Sequence, residues 1–219
     1  MKGQRQLFAA ALALVVLCGA SGCTALESSD ETQFTYTKLA VAKDSAKAGS
    51  GQTVTLKGKA FDLEGFGVRT GDELRDAQLT ATDLSFVNIA DTKGQVRIIS
   101  IVPSLDTTVC EQQTHHLSEK NNGLDQSVEL ITVSIDTPFA QNRFAKEAKI
   151  KNVTFLSDYR GGEFGKTYGL LVKDPHILAR TMMVVDQNNV IRYMQITPEL
   201  ANMPDMDAAF RAARALVQS

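Results

Sequence analysis

Two runs of this chain, Val96–Val102 (VRIISIV) and Val128–Ile135 (VELITVSI), are almost continuously apolar and β-branched. A strand that offers apolar side chains to both faces is a strand buried on both faces. Each run is followed by a helical pattern, Val109–Lys120 after the first and Pro138–Lys149 after the second. Strands that alternate with helices predict an α/β fold, with helices on both faces of a central mixed sheet. The central strand–helix–strand unit is expected to be right-handed.

The other elements are weaker but agree. Thr53–Lys57 alternates, turns at Gly58 and leads into Phe61, which predicts an N-terminal β-hairpin. Leu84–Ile89 and Val153–Leu156 are strand candidates, and Glu163–Tyr168 is a short helix closed by Gly169. Thr181–Val185 and Val190–Ile196 flank Asp186–Asn189, a hairpin loop. Pro204 opens a last helix, with Phe210, Ala213 and Val217 on one face. This order suits a thioredoxin-like sheet, among other α/β arrangements. Hydrophobic residues make up 43% of the 219 and charged residues 22%, enough to build a core. A net charge of −2 gives no electrostatic case for nucleic acid.

The N-terminus is of another kind. Lys2 and Arg5 precede an apolar run, Leu7–Leu17, which is short of the roughly 20 residues that a spanning helix needs. Small residues follow up to Cys23. Positive start, apolar stretch and small-residue end describe a secretory leader over residues 1–22. Ala20-Ser21-Gly22-Cys23 resembles a bacterial lipobox, with Ala20 where leucine is commoner. The expectation is a lipidated Cys23, a flexible tether over 23–52 rich in Ser, Ala, Lys and Gly, and a folded domain over 53–219.

That division decides the cysteine count. Cys18 leaves with the leader, lipid blocks Cys23, and Cys110 is left alone. A single leftover thiol in an exported chain is either reactive or paired between chains. Cys110 stands in the first turn of the helix that follows a buried strand. Backbone N–H groups and the positive end of the helix dipole favour thiolate there, and the thiolate is the nucleophile. Thr107, three residues earlier, is placed to donate to the sulfur or to an incoming oxygen, and Asp106 or Thr107 to cap the helix. Pro103 fixes the approach of the loop. A buried filler cysteine is the plainer alternative.

Pro103, Thr107 and Cys110 match Pro-x-x-x-Thr-x-x-Cys, and the stretch Pro103–Cys110 resembles the active-site motif of peroxiredoxins, in its thiol peroxidase form. Ser134-Ile135-Asp136-Thr137-Pro138-Phe139-Ala140-Gln141-Asn142-Arg143-Phe144 resembles a second segment of that branch, and Leu178-Ala179-Arg180 the place of its catalytic arginine. The resemblance spans residues 53–217. It implies a thioredoxin-like fold and a thiol-dependent peroxidase needing no cofactor. Cys110 would attack a peroxide and become a sulfenic acid. Thr107 would position it, Arg180 would polarise the O–O bond, and Pro103 would shield the intermediate. The resemblance also implies a homodimer, and hydrogen peroxide and organic hydroperoxides as substrates. Beside a membrane, lipid hydroperoxides join that class.

One departure stands out. The branch often carries a resolving cysteine directly after Arg-Phe, and here that residue is Ala145. The expectation is therefore a one-cysteine peroxidase reduced by an external thiol, thioredoxin-like or small. It would be lipid-anchored on the periplasmic side of a bacterial envelope, with the uncharged Thr24 leaning to the outer membrane. The rival reading is an envelope redox sensor or binding lipoprotein with a reactive Cys110 and little turnover. Other signals are set aside. Gly165-Lys166-Thr167 lacks the glycine at 160 that a phosphate loop requires. His115 and His116 are adjacent and point apart on a helix, and His176 is distant, so no metal site is expected. Asp106, Asp136 and Asp158 are read as caps and turn residues.

Overall fold

The computed structural model describes residues 34–91 and 94–218. The expected leader, Cys23 and the first part of the tether lie outside the described residues. In chain order the elements are β1 (Thr53–Leu56), β2 (Lys59–Glu64), β3 (Gln78–Ala81), β4 (Phe86–Asn88), β5 (Val96–Ile101), α1 (Thr108–Glu119), β6 (Val128–Ser134), α2 (Pro138–Glu147), β7 (Thr154–Ser157), α3 (Glu163–Tyr168), β8 (Leu171–Val172), β9 (Ile177–Leu178), β10 (Thr181–Val185), β11 (Ile191–Ile196) and α4 (Met206–Val217).

The two apolar runs are β5 and β6, at the middle of a seven-stranded sheet ordered β11-β10-β5-β6-β7-β3-β4. β5, β6 and β7 run parallel, and β10 pairs antiparallel with β5. Every residue of β5 is buried. Alternation along the strands sorts their side chains to the two faces. Ile99, Ile101, Ile131, Val133, Met183 and Val185 join one core cluster, and Ile98, Leu130, Met182 and Val184 the other. The second cluster is covered by α1 and α4 through Leu117, Phe210 and Ala213, and by Phe144 and Ala145 of α2. The first is covered by α3, through Phe164 and Tyr168, and by a small sheet ordered β1-β2-β8-β9. Helices thus lie on both faces, the mixed sheet is thioredoxin-like, and the N-terminal hairpin is β1–β2.

Arg97 interrupts the apolar run of β5, yet its side chain is buried. It donates to the Ile89 carbonyl and to Asn189. Asn189 itself sits at φ 64 in the β10–β11 loop, a conformation that Asn tolerates better than most residues.

Residues 34–52 correct the expected tether. They pack along the domain and belong to the same compact unit. The amide of Gln112 on α1 takes both backbone groups of Thr37: its Oε1 accepts the N–H at 2.8 Å and its Nε2 donates to the carbonyl at 3.0 Å. Phe34 stacks on His115 with ring centroids 3.9 Å apart, and the Tyr36 hydroxyl donates to Glu119. Farther along, Ala42 N–H donates to the Met203 carbonyl and Ala46 N–H to the Ile196 carbonyl. A polar segment without periodicity is held by hydrogen bonds to its backbone, which composition does not encode.

Candidate active site

The site lies at the C-terminal end of β5. Val102 N–H still bonds the Val133 carbonyl, and Pro103, with no N–H to offer, ends the ladder. Pro103 and Leu105 are buried and hold the loop down. Thr107 N–H donates to the Ser104 carbonyl at 3.2 Å, which turns the chain into α1.

Thr107 occupies the N-cap position, with φ −118 and ψ 141, but its side chain makes no cap bond. That corrects the expected capping role. The hydroxyl lies 2.9 Å from Cys110 Sγ and 3.1 Å from the Ser104 carbonyl, and donates its single proton to one or the other. Asp106 does not cap either: its carboxylate meets Arg143 at 3.3 Å, with both side chains exposed. Cys110 is in the first turn of α1 and is wholly buried. It is the free cysteine among the described residues.

Arg180 comes from the other side, directly before β10. It is 2% exposed. Its Nε donates to the Leu200 carbonyl at 2.8 Å, its Nη1 to Gln113 Oε1 at 2.8 Å, and its Nη2 to Cys110 Sγ at 3.3 Å. No carboxylate pairs with it: the ion pairs of the described residues involve Arg69, His115, Arg143 and Arg192. A buried guanidinium without a counter-ion is costly, and the group in contact that can carry a compensating negative charge is the sulfur of Cys110. Two donors, hydroxyl and guanidinium, therefore converge on one sulfur from different elements. Fixed donors of that kind stabilise charge as it develops in a transition state.

Gln113 is a site residue that the sequence reading passed over. It is fully buried, orients Arg180 through Oε1, and donates from Nε2 to the Ser100 hydroxyl at 2.8 Å and toward Met182 Sδ at 3.4 Å. The available signal was its spacing of three from Cys110, which puts both on one helix face. Asp136, read as a turn residue, accepts from Ser104 and from Leu105 N–H. In the second motif, Pro138 is the first residue of α2 and the Thr137 hydroxyl caps it by accepting Ala140 N–H. Gln141 is buried and ties α2 to the sheet, donating to the Ser134 hydroxyl and the Leu156 carbonyl.

The histidines are not bonded to the sulfur. His115 Nδ1 lies 2.6 Å from Glu119 Oε1, toward the C-terminal end of α1. His116 meets Tyr36 and Phe210 with its ring, and burial holds its pKa below the ordinary imidazole value. Gly165 serves packing: a Cβ there would lie 2.7 Å from a Leu178 methyl. Ala145 packs against the core cluster that also contains Cys110.

Comparison with known proteins shows the family. A family model described as Redoxin matches residues 69–210. A thiol peroxidase of Halalkalibacterium halodurans is 41% identical over 163 residues, 74% of this chain and 98% of that one. A thiol peroxidase of Streptococcus pneumoniae is 40% identical over 163 residues, 74% of this chain and 99% of that one. Among solved structures, a peroxiredoxin-like protein from Aquifex aeolicus superposes with a TM-score of 0.68 at 33% identity, covering 77% of this chain and 99% of that one. A thiol peroxidase from Chromobacterium violaceum shares the fold, with a TM-score of 0.67 at 22% identity over 76% of this chain and 97% of that one. The chain belongs to the redoxin family, among the thiol peroxidases of the peroxiredoxin group.

Proposed function

We propose that this chain is a thiol-dependent peroxidase in which Cys110 is the nucleophile. The observation that carries the assignment is the unpaired, buried guanidinium of Arg180, aimed at the sulfur from 3.3 Å. The Cys110 thiolate attacks the terminal oxygen of a hydroperoxide and the O–O bond breaks. The other oxygen leaves with a proton as water or an alcohol, and the sulfur becomes a sulfenic acid. Thr107 donates on the solvent side and Arg180 from within, and Pro103 closes the loop over the intermediate. An external thiol then attacks the sulfenic sulfur and releases water. A second thiol frees Cys110 from the mixed disulfide.

This one-cysteine cycle rests on Ala145 standing where the thiol peroxidase resemblance places a resolving cysteine. The lipobox-like Cys23 supports a lipid-anchored, periplasmic-side location in a bacterial envelope, and Thr24 supports the outer membrane. Hydrogen peroxide and organic hydroperoxides, lipid hydroperoxides among them, are the proposed substrates, and a homodimer is the proposed assembly. Stopped-flow reduction of cumene hydroperoxide by the mature domain tests the reading. Thiol-dependent turnover that disappears in Cys110→Ser is the expected result. No turnover, with Cys110→Ser behaving like the parent, would sink it.

The complete burial of Cys110 favours a second reading, a redox sensor. It is distinguished by one slow oxidation and a lasting sulfenic acid or partner disulfide in place of repeated turnover.

A further inference from the structure

Asp136 stands just beyond β6, beside the loop that joins β5 to α1. Its Oδ1 accepts the Ser104 hydroxyl at 2.8 Å and its Oδ2 accepts the Leu105 N–H at 2.7 Å. One carboxylate thereby fixes two successive loop residues. The Asp136 carbonyl accepts the Ser157 hydroxyl, which ties it to the end of β7. Asp136 does not cap α2, because Thr137 does.

Ser104 passes this constraint on. Its carbonyl accepts the Thr107 N–H at 3.2 Å and lies 3.1 Å from the Thr107 hydroxyl. That hydroxyl is 2.9 Å from Cys110 Sγ. Thr107 is exposed and makes no cap bond, so its hydroxyl is placed by Ser104 and by the sulfur alone among its bonded partners. The connection runs from Asp136 through Ser104 and Thr107 to the sulfur.

We propose that Asp136 is a positioning residue for peroxide reduction, which through Ser104 aims the Thr107 hydroxyl at the sulfur and at the incoming peroxide oxygen. This rests on Cys110 being the peroxide-reacting nucleophile. Asp136 touches neither Cys110 nor Arg180 in any bond of the described residues. Its removal therefore leaves the guanidinium–sulfur contact in place and disturbs the hydroxyl. Small misplacements of a reacting constellation are enough to slow chemistry by about a hundredfold in the worst cases.

The test is single-turnover oxidation of Cys110 by hydrogen peroxide, run beside alkylation by iodoacetamide. Alkylation needs a reactive sulfur but no donor to a peroxide. Asp136→Ala is expected to slow peroxide oxidation about tenfold or more, and alkylation less than about threefold. Ser104→Ala and Asp136→Asn each remove one bond of the relay, and are expected to show part of the loss. They carry the test if Asp136→Ala does not fold. In a Thr107→Val background, Asp136→Ala is expected to cost less than about twofold, because both changes disable one relay.

A merely structural anchor would slow peroxide and iodoacetamide alike and add in full to Thr107→Val, and either result overturns the proposal. So does a parental peroxide rate in Asp136→Ala and Ser104→Ala. If the parent itself does not react with peroxide, the peroxidase reading falls and this proposal falls with it. If the parent reacts and the variants match it, only the role of Asp136 is lost.

Discussion

Arg180 Nη2 lies 3.3 Å from Cys110 Sγ, with both side chains buried. The guanidinium also donates to the Leu200 carbonyl and Gln113 Oε1, and no carboxylate among the described residues pairs with it. Its contribution is therefore to negative charge on the sulfur and on the oxygen attached to it. Arg180→Gln is expected to lower the rate of peroxide reduction by about 10² or more, the range seen when one fixed donor is removed from a charge-stabilising site. Single-turnover kinetics with hydrogen peroxide measure it. A rate within a few-fold of the parent would show that Arg180 is only a core residue.

Thr107 separates chemistry from stability. A residue at an N-cap ordinarily contributes about 1 kcal/mol through its side-chain cap bond. Thr107 makes no such bond, and its hydroxyl lies within reach of the sulfur and of the Ser104 carbonyl. Its extended backbone also suits a β-branched residue. Thr107→Val is thus expected to keep a urea midpoint close to the parent while peroxide reduction falls at least about tenfold. Thr107→Ser keeps the hydroxyl and is expected to retain most of the rate. A loss of stability as large as an ordinary cap would contradict this placement.

Much of this arrangement was legible in the sequence, and the reason is local. β5 and β6 are apolar on both faces, so their central position follows from composition along two short runs. Cys110, Thr107 and Pro103 fall in one strand–loop–helix joint, where spacing alone brings them together. Gly169 ends α3 in a left-handed conformation at φ 66, as its position predicted. What escaped depends on partners far along the chain. β8 and β9 are two residues each and exist as strands only because they pair with each other and with β2. β3, Gln78–Ala81, carries little apolar signal of its own. The Leu200 carbonyl is a backbone group that no residue type announces.

The segment 34–42 gives a prediction about α1. Gln112 holds both backbone groups of Thr37, and Phe34 and Tyr36 lie on His115 and Glu119 of the same helix. Gln112→Ala removes both backbone bonds to Thr37 and the bond from its hydroxyl, and is expected to cost about 1–2 kcal/mol of local stability. Hydrogen exchange read by mass spectrometry is expected to show faster exchange over residues 34–39, with the β5–β6 core unchanged. Unchanged exchange in that segment would mean that the Phe34 and Tyr36 contacts hold it without Gln112.

Asp158 yields a pH dependence of known sign. The carboxyl is buried at the end of β7 and accepts Phe164 N–H and Gly165 N–H. Burial outweighs these bonds and pushes its pKa from 3.8 up to about 6. The folded state thus binds the proton more tightly than the unfolded chain. The stabilisation from this group is complete below about pH 3.8 and is lost as pH rises through about 6. Asp158→Asn cannot titrate. The difference in unfolding free energy between parent and variant, read from urea titrations, is expected to shift in favour of the variant as pH rises from 4 to 7, by on the order of 1–2 kcal/mol. A difference that does not change with pH would place the group at an ordinary pKa.

Resolution of the oxidised sulfur is the step for which the described residues supply no second thiol. Cys110 is the free cysteine of the described residues, and Ala145 packs against its core cluster without a thiol to offer. One equivalent of peroxide is therefore expected to add a single oxygen to the intact mass, trapped by dimedone as a sulfenic acid. Excess peroxide without thiol is expected to add a second oxygen, the sulfinic form, because no second thiol among the described residues competes for the intermediate. An added small thiol present from the start is expected to intercept the first product as a mixed disulfide and to suppress the second. Loss of two hydrogens from the mass of one chain, the mark of an internal disulfide at Cys110, would refute the one-cysteine cycle. A disulfide-linked pair of chains would move resolution to the partner copy. Both outcomes are read in the same mass spectrum, before and after reduction.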